Sequence, residues 1–256
     1  MANEGTYLIT RGDDCGSSLS ANRGIQEAYN KGILKNTSVM APCSALDHAA
    51  EIFAGESGLC FGLHATLNAE WDRLRWGPVL PPEKVPSLVR ADGTFFQTPQ
   101  ELKDHKPLLE EMMAELQAQL DKVRRLGFVI HYADLHMGFD WVHDGFRSAF
   151  GEWCKREGLI NDLDIHRSLP IVAAASEDPV DDLITRLKAA DSGQYVLVGH
   201  PAYDNDEMRF HGHKGYEGNK VAAERENERR MFTDPRVAEC CRLHSIIPIR
   251  YDEAIV

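Results

Sequence analysis

The stretch Thr6-Tyr7-Leu8-Ile9-Thr10-Arg11-Gly12-Asp13-Asp14-Cys15-Gly16 decides how this chain is read. Its first half, 6–10, has the apolar, β-branched character of a strand. It runs into two adjacent carboxylates, a glycine and a serine-rich turn, and then a helical pattern over 21–31, with Ser20 as the expected N-cap and Gly32 as the stop. A strand that carries two acids to its C-terminal end, just before a helix, has the arrangement in which α/β folds keep their chemistry. Neighbouring carboxylates repel unless a cation or a shared proton compensates them. An isolated Asp-Asp pair is more often a capped turn, so the reading depends on what the other strand ends offer.

Working outward, β-rich segments at 37–41, 59–64, 128–135, 170–174, 194–200 and 245–251 alternate with helical patterns at 45–54, 108–126, 145–156, 178–190, 219–231 and 235–243. The clearest helix is 108–126, where Leu109, Met112, Met113, Leu116, Leu120 and Val123 recur at helical spacing before Gly127, a stripe that predicts core packing. Seven strands alternating with helices, without repeats or low-complexity linkers, predict a single α/β domain over 1–256. The expected architecture is an incomplete or distorted (β/α) barrel of parallel strands. An open Rossmann-like sheet is the alternative, but no GxGxxG or GxxxxGK[ST] follows any strand. Two segments break the rhythm, a proline-rich one at about 68–106 and a polar, glycine-bearing one at 202–218; both are expected to be loops over the active face. Trp71, Trp76, Phe95 and Phe96 lie in the first, as anchors to the body or, for one of them, as a platform for a substrate ring.

The net charge of −12 over 256 residues argues against nucleic acid or an anionic membrane as partner. Six cysteines without CxxC spacing, two of them vicinal (Cys240, Cys241), suit free thiols in a reducing compartment. The N-terminus lacks the features of a signal peptide and no run is long enough to span a bilayer, so a soluble, cytoplasmic protein is expected.

The strand ends can now be compared. The first offers Asp13 and Asp14, the third His64, the fourth His131, Asp134 and His136, and a late one His200. In a parallel barrel all of these face one side. Two imidazoles and a carboxylate form a donor set for a divalent metal with open positions. The second carboxylate of the pair can then serve as general base towards water, and a histidine across the cleft can protonate a leaving group. A metal-dependent hydrolase is the favoured reading. His211-Gly212-His213 is a weaker metal candidate in a glycine loop, and the run 224–230 reads as an exposed charged helix face from which Arg225 or Arg230 could reach an acidic sugar.

With these residues in place the chain resembles the YdjC-like family of carbohydrate deacetylases. The resemblance runs through Leu8–Gly16, Asn22-Arg23-Gly24, Gly32–Ser38, Gly62-Leu63-His64-Ala65-Thr66-Leu67, the segment from Pro78 to Phe96, His131–His136 and Gly199-His200-Pro201-Ala202-Tyr203. It implies an incomplete βα-barrel that hydrolyses the acetamide of an N-acetylated mono- or oligosaccharide. It also implies one divalent metal, magnesium by family, with zinc an alternative on the chemistry of the donors. Position by position it implies Asp14, His64 and His136 as metal ligands, Asp13 as base and His200 as acid. Arg11, Asp134, Trp76 and Tyr203 are the expected substrate contacts, Asp134 having a second possible role in orienting a histidine. A homodimer is a further expectation.

Where relatives commonly open Asn-Ala-Asp-Asp-Phe-Gly, this chain has Arg11-Gly12 before the acids and Cys15 after them, and Met137 follows His136. These departures are expected close to the metal and point to a different sugar. The rival readings are a metal-dependent phosphosugar hydrolase or lyase on the same barrel, and a non-catalytic sugar-binding relative.

Overall fold

Period-two alternation along the first strand organises the molecule. A computed structural model describes residues 5–172 and 176–255. The strands are β1 (Thr6–Cys15), β2 (Asn36–Val39), β3 (Cys60–Ala65), β4 (Ile130–Leu135), β5 (Ile160–Asn161), β6 (Gly193–Gly199) and β7 (Ile246–Ile249). All their pairings are parallel, in the order β5-β4-β3-β2-β1-β6 with β7 also on β1. The helices are α1 (Leu19–Lys31), α2 (Leu46–Ile52), α3 (Pro99–Asp104), α4 (Leu109–Arg125), α5 (Phe146–Glu157), α6 (Asp162–Ile165), α7 (Pro179–Lys188), α8 (Gly218–Thr233) and α9 (Pro235–Leu243).

β1 has β6 on one flank from Thr6 to Gly12. On the other, β7 pairs with Thr6–Ile9 and β2 takes over from Arg11. Asn36 closes this fork: its amide donates to the carbonyls of Thr10 and Ile249, both at 3.0 Å, and accepts the N–H of Tyr251 at 2.7 Å. Among the described residues β5 and β6 are not paired, and the isolated bridge of Ser168, after β5, to Val196 of β6 spans that side, so the curled sheet is an incomplete barrel.

Alternation sends Leu8 outward into the layer shared with the helices and Ile9 inward, with Cys60, Tyr132 and Tyr251. Gly62 is required inside because a Cβ there would stand 2.2 Å from the Tyr132 ring. The stripe expected on α4 is core: Met112, Leu116, Leu120 and Val123 are fully buried.

Several boundaries differ from expectation. β1 continues to Cys15, because β2 and β6 pair with it beyond Thr10. The cap of α1 is Ser18, whose hydroxyl accepts the Ala21 N–H, and not Ser20. The fifth strand is Ile160–Asn161 beside β4. The expected strand at 170–174 runs into residues 173–175, which lie outside the described residues, and its first residues are not strand. The proline-rich segment is packed rather than open, with Val85, Leu88 and Phe95 fully buried and α3 near its end.

Candidate active site

The side chains at the C-terminal ends of β1, β3 and β4 meet in a cavity of about 320 Å³ lined by Asp13, Asp14, His64, His136, His200 and Arg225, among others. Arg11 and Asp13 share the inward face of β1. In a regular strand Asp14 would point outward; a register shift after Gly12 and a left-handed backbone (φ 65°) turn it to the same mouth. His64 and Asp134 are direct neighbours across β3 and β4.

Three atoms converge. His64 Nε2 lies 3.5 Å and His136 Nδ1 3.6 Å from Asp14 Oδ1, and the two nitrogens are 3.2 Å apart. The other nitrogen of each ring is engaged: His64 Nδ1 is 2.6 Å from Asp134 Oδ2, and His136 Nε2 is 2.9 Å from Glu70 Oε2. A carboxylate only accepts, so each ring keeps a proton on the far side, and the neutral ring turns a lone pair to the centre. Asp14 Oδ1 is buried without a hydrogen-bond partner. Two imidazole nitrogens packed around an orphaned carboxylate oxygen fit a cation, and the N,N,O set suits a divalent one.

The electrostatics agree. Among the described residues, Asp13, Asp14, Asp134, Asp162 and Glu70 around the site face only Arg11 and Arg225 as guanidiniums. Burial alone would lower both imidazoles, but Asp134 and Asp13 hold His64 well above its ordinary value, and Glu70 with Asp14 pushes His136 up to about 9. Burial would raise Asp14, yet the adjacent imidazoles of His136 and His64 and the charge of His200 hold it well below the carboxylate range. Surplus negative charge that holds protons on these rings is the charge that would hold a metal.

Arg11 is not at the cavity. It lies buried beneath it, with Nε 2.7 Å from Asp13 Oδ1, Nη2 3.1 Å from Asp13 Oδ2 and 3.3 Å from Asp134, and Nη1 3.0 Å from Asp162 and 2.9 Å from the Tyr251 hydroxyl. Cys15 is fully buried, and burial with the charge of Asp14 pushes its thiol up to about 12. Of the departing residues only Met137, exposed and at φ 58°, lines the cavity. Asp134 is fully buried and holds His64 and Arg11, and it does not line the cavity. Trp76 borders the adjoining pocket, its indole N–H donating to Asn68 O at 2.8 Å. Tyr203 lies outside the cavity: its hydroxyl donates to Glu27 at 2.8 Å and Arg229 covers its ring. His213 reaches the rim and stacks on Trp71, while His211 is buried against the Glu207 carbonyl; neither joins the three-atom cluster.

His200 occupies the opposite wall. Glu228 Oε2 lies 3.1 Å from its Nδ1, accepts its backbone N–H at 2.7 Å and also takes Arg225 at 3.2 Å. Burial would raise Glu228, but His200 and Arg225 bring it down to about 2.

Sequence reasoning missed Glu70 and Glu228. Glu70 had no signal, standing in an irregular segment. Glu228 had one, because Val221, Arg225, Glu228 and Phe232 recur at helical spacing on one face of α8, so the charged run is not wholly exposed.

The sequence model of the YdjC-like protein family matches residues 7–176. The chain belongs to the YdjC-like family. It is 28% identical to a carbohydrate deacetylase of Thermoanaerobacter pseudethanolicus over 259 residues, covering 96% of this chain and 98% of that protein. It is 32% identical over 214 residues to a carbohydrate deacetylase of Listeria monocytogenes serotype 4b, covering 79% and 84%. Its fold matches the crystal structure of an Enterococcus faecalis V583 protein provisionally assigned to cellobiose-phosphate cleavage. There the TM-score is 0.80 at 21% identity, over 97% of this chain and 98% of that one. Among the described residues, no helix of this YdjC-like protein is long and apolar enough to cross a membrane.

Proposed function

We propose that this YdjC-like protein is a metal-dependent carbohydrate deacetylase that hydrolyses the acetamide of an N-acetylated mono- or oligosaccharide. The observation that carries the reading is the orphaned Asp14 Oδ1 facing His64 Nε2 and His136 Nδ1, in a family whose curated relatives are named carbohydrate deacetylases. Asp14, His64 and His136 would hold a divalent cation, magnesium by family or zinc by donor chemistry. Such a cation, when bound, acidifies water and polarises a carbonyl.

The chain's own residues do the rest. Asp13 lines the cavity beside this set, and the Arg11 fork holds its carboxylate in one orientation, suited to taking a proton from water. His200, with Nδ1 turned to Glu228, has Nε2 available to deliver a proton to the departing amine. Asp134 and Arg11 are assigned supporting roles rather than substrate contacts, and Trp76 remains the candidate ring platform. A single domain over the whole chain and a reducing, cytoplasmic setting complete the proposal, supported by six free, buried cysteines.

The test is metal content together with acetate release from N-acetylated mono- and disaccharides. The expected result is about one divalent ion per chain, acetate release by the wild type, and loss of at least about 100-fold in kcat for Asp13→Asn with metal retained. A wild type that binds no metal, or an Asp13→Asn variant of undiminished activity, sinks the mechanism.

A further inference from the structure

His136 meets the three-atom cluster through Nδ1, whereas His64 does so through Nε2. A neutral imidazole presents whichever nitrogen the partner of its other nitrogen leaves free. The two partners are supported differently. Asp134 is fixed on the neighbouring strand, in register with His64. Glu70 stands on the proline-rich segment, and its placement depends on contacts with the far end of that segment. The Ala69 N–H donates to Phe96 O at 2.9 Å, and Gln97 Nε2 donates to Glu70 O at 3.2 Å and to Asp72 Oδ1 at 2.8 Å. With the strap seated in this way, Glu70 Oε2 lies 2.9 Å from His136 Nε2.

We infer that Glu70 is the positioning residue that commits His136 to bind metal through Nδ1, and that it thereby ties metal affinity to the seating of the loop over 68–97. The inference rests on the metal site proposed above and goes beyond it. Glu70 is a carboxylate acceptor for the far nitrogen of a ligand, and the acceptor is delivered by a loop rather than by the barrel. Removing the acceptor frees the ring to change tautomer and present Nε2, which points away from Asp14 and His64.

The experiment uses the full chain with nitrogen-15 histidine, loaded with cadmium-113 and observed by NMR, alongside cadmium affinity from calorimetry. In the wild type, coupling to cadmium is expected at Nδ1 of His136 and Nε2 of His64. Glu70→Gln keeps an acceptor and keeps this pattern. Glu70→Ala is expected to weaken cadmium binding by about 10- to 100-fold and to abolish or move the His136 coupling while the His64 coupling stays. Gln97→Ala, remote from the ligands, is expected to weaken binding in the same direction by less. Unchanged affinity and an unchanged Nδ1 coupling in Glu70→Ala overturn the inference with the metal site intact. Coupling to neither histidine in the wild type overturns the metal site, and the inference with it.

Discussion

Arg11 and Asp13, two positions apart on β1, meet as a fork on a carboxylate: Nε to Oδ1 at 2.7 Å and Nη2 to Oδ2 at 3.1 Å, both groups buried. The same guanidinium is the only one in contact with Asp134 and Asp162 among the described residues. Arg11→Met leaves three buried carboxylates without their shared cation and is expected to cost about 3–5 kcal/mol of stability, measured by urea denaturation. Arg11→Lys keeps the charge but not the fork. It is expected to recover much of the stability while kcat stays depressed, since the orientation of Asp13 is not restored.

Acid should weaken metal binding. Burial alone would lower His136, but Glu70 and Asp14 outweigh it and push the imidazole up to about 9 in the metal-free protein. Below that pH a bound cation must displace a proton. Apparent metal affinity is therefore expected to rise with pH by about tenfold per unit up to about pH 9, and more steeply where His64 also loses a proton. Calorimetric titration in two buffers of different ionisation enthalpy measures the protons released; a pH-independent affinity between pH 6 and 8 contradicts the assignment.

Glu228 should matter for the leaving group rather than for the metal. Its carboxylate, held down to about 2 against the effect of burial, fixes His200 through Nδ1 and the backbone N–H. Glu228→Gln is expected to lower kcat for an N-acetyl sugar by roughly 10- to 100-fold, a part of the loss typical of a missing general acid, with metal content unchanged. An aryl acetate, whose leaving group needs no proton, should lose much less. Equal losses on both substrates would remove His200 from the role of acid.

α4 fastens the loops of the active face with a polar row. Glu115 accepts the N–H groups of Val79 at 2.8 Å and Leu80 at 3.0 Å, and Gln119 exchanges hydrogen bonds with the backbone of Thr66, just past β3. Glu115→Ala strands two N–H donors and is expected to destabilise the fold by about 2–4 kcal/mol. Limited proteolysis should then cut first within 75–95, and unchanged protection there would contradict the strap.

Much of the site was legible because a parallel barrel brings strand ends together whatever their distance in sequence. Asp14, His64 and His136 each follow a β-rich run, and that brings all three to the same end of the sheet. The helix over 109–125 was equally plain, since its apolar spacing is local. The fifth strand was misplaced because two residues beside β4 carry no periodicity of their own; the pairing of Tyr132 with Ile160 and Ala133 with Asn161 makes it a strand.

The sequence by itself determined the βα rhythm, the set of acids and imidazoles, and the residues at which this chain departs from its relatives, because these are properties of local pattern. Tertiary structure decided what each departure does. Arg11 alternates inward onto Asp13, Asp134 and Asp162, and Cys15 is sealed in the core, so neither lines the cavity. It also supplied the two carboxylates that orient His136 and His200, Glu70 from a strapped loop and Glu228 from the buried face of α8. Sequence spacing cannot encode such contacts, since each depends on where a separate element comes to rest. The turn of Asp14 toward the histidines is of the same kind: a left-handed residue at a bulge, held there by the packing around it.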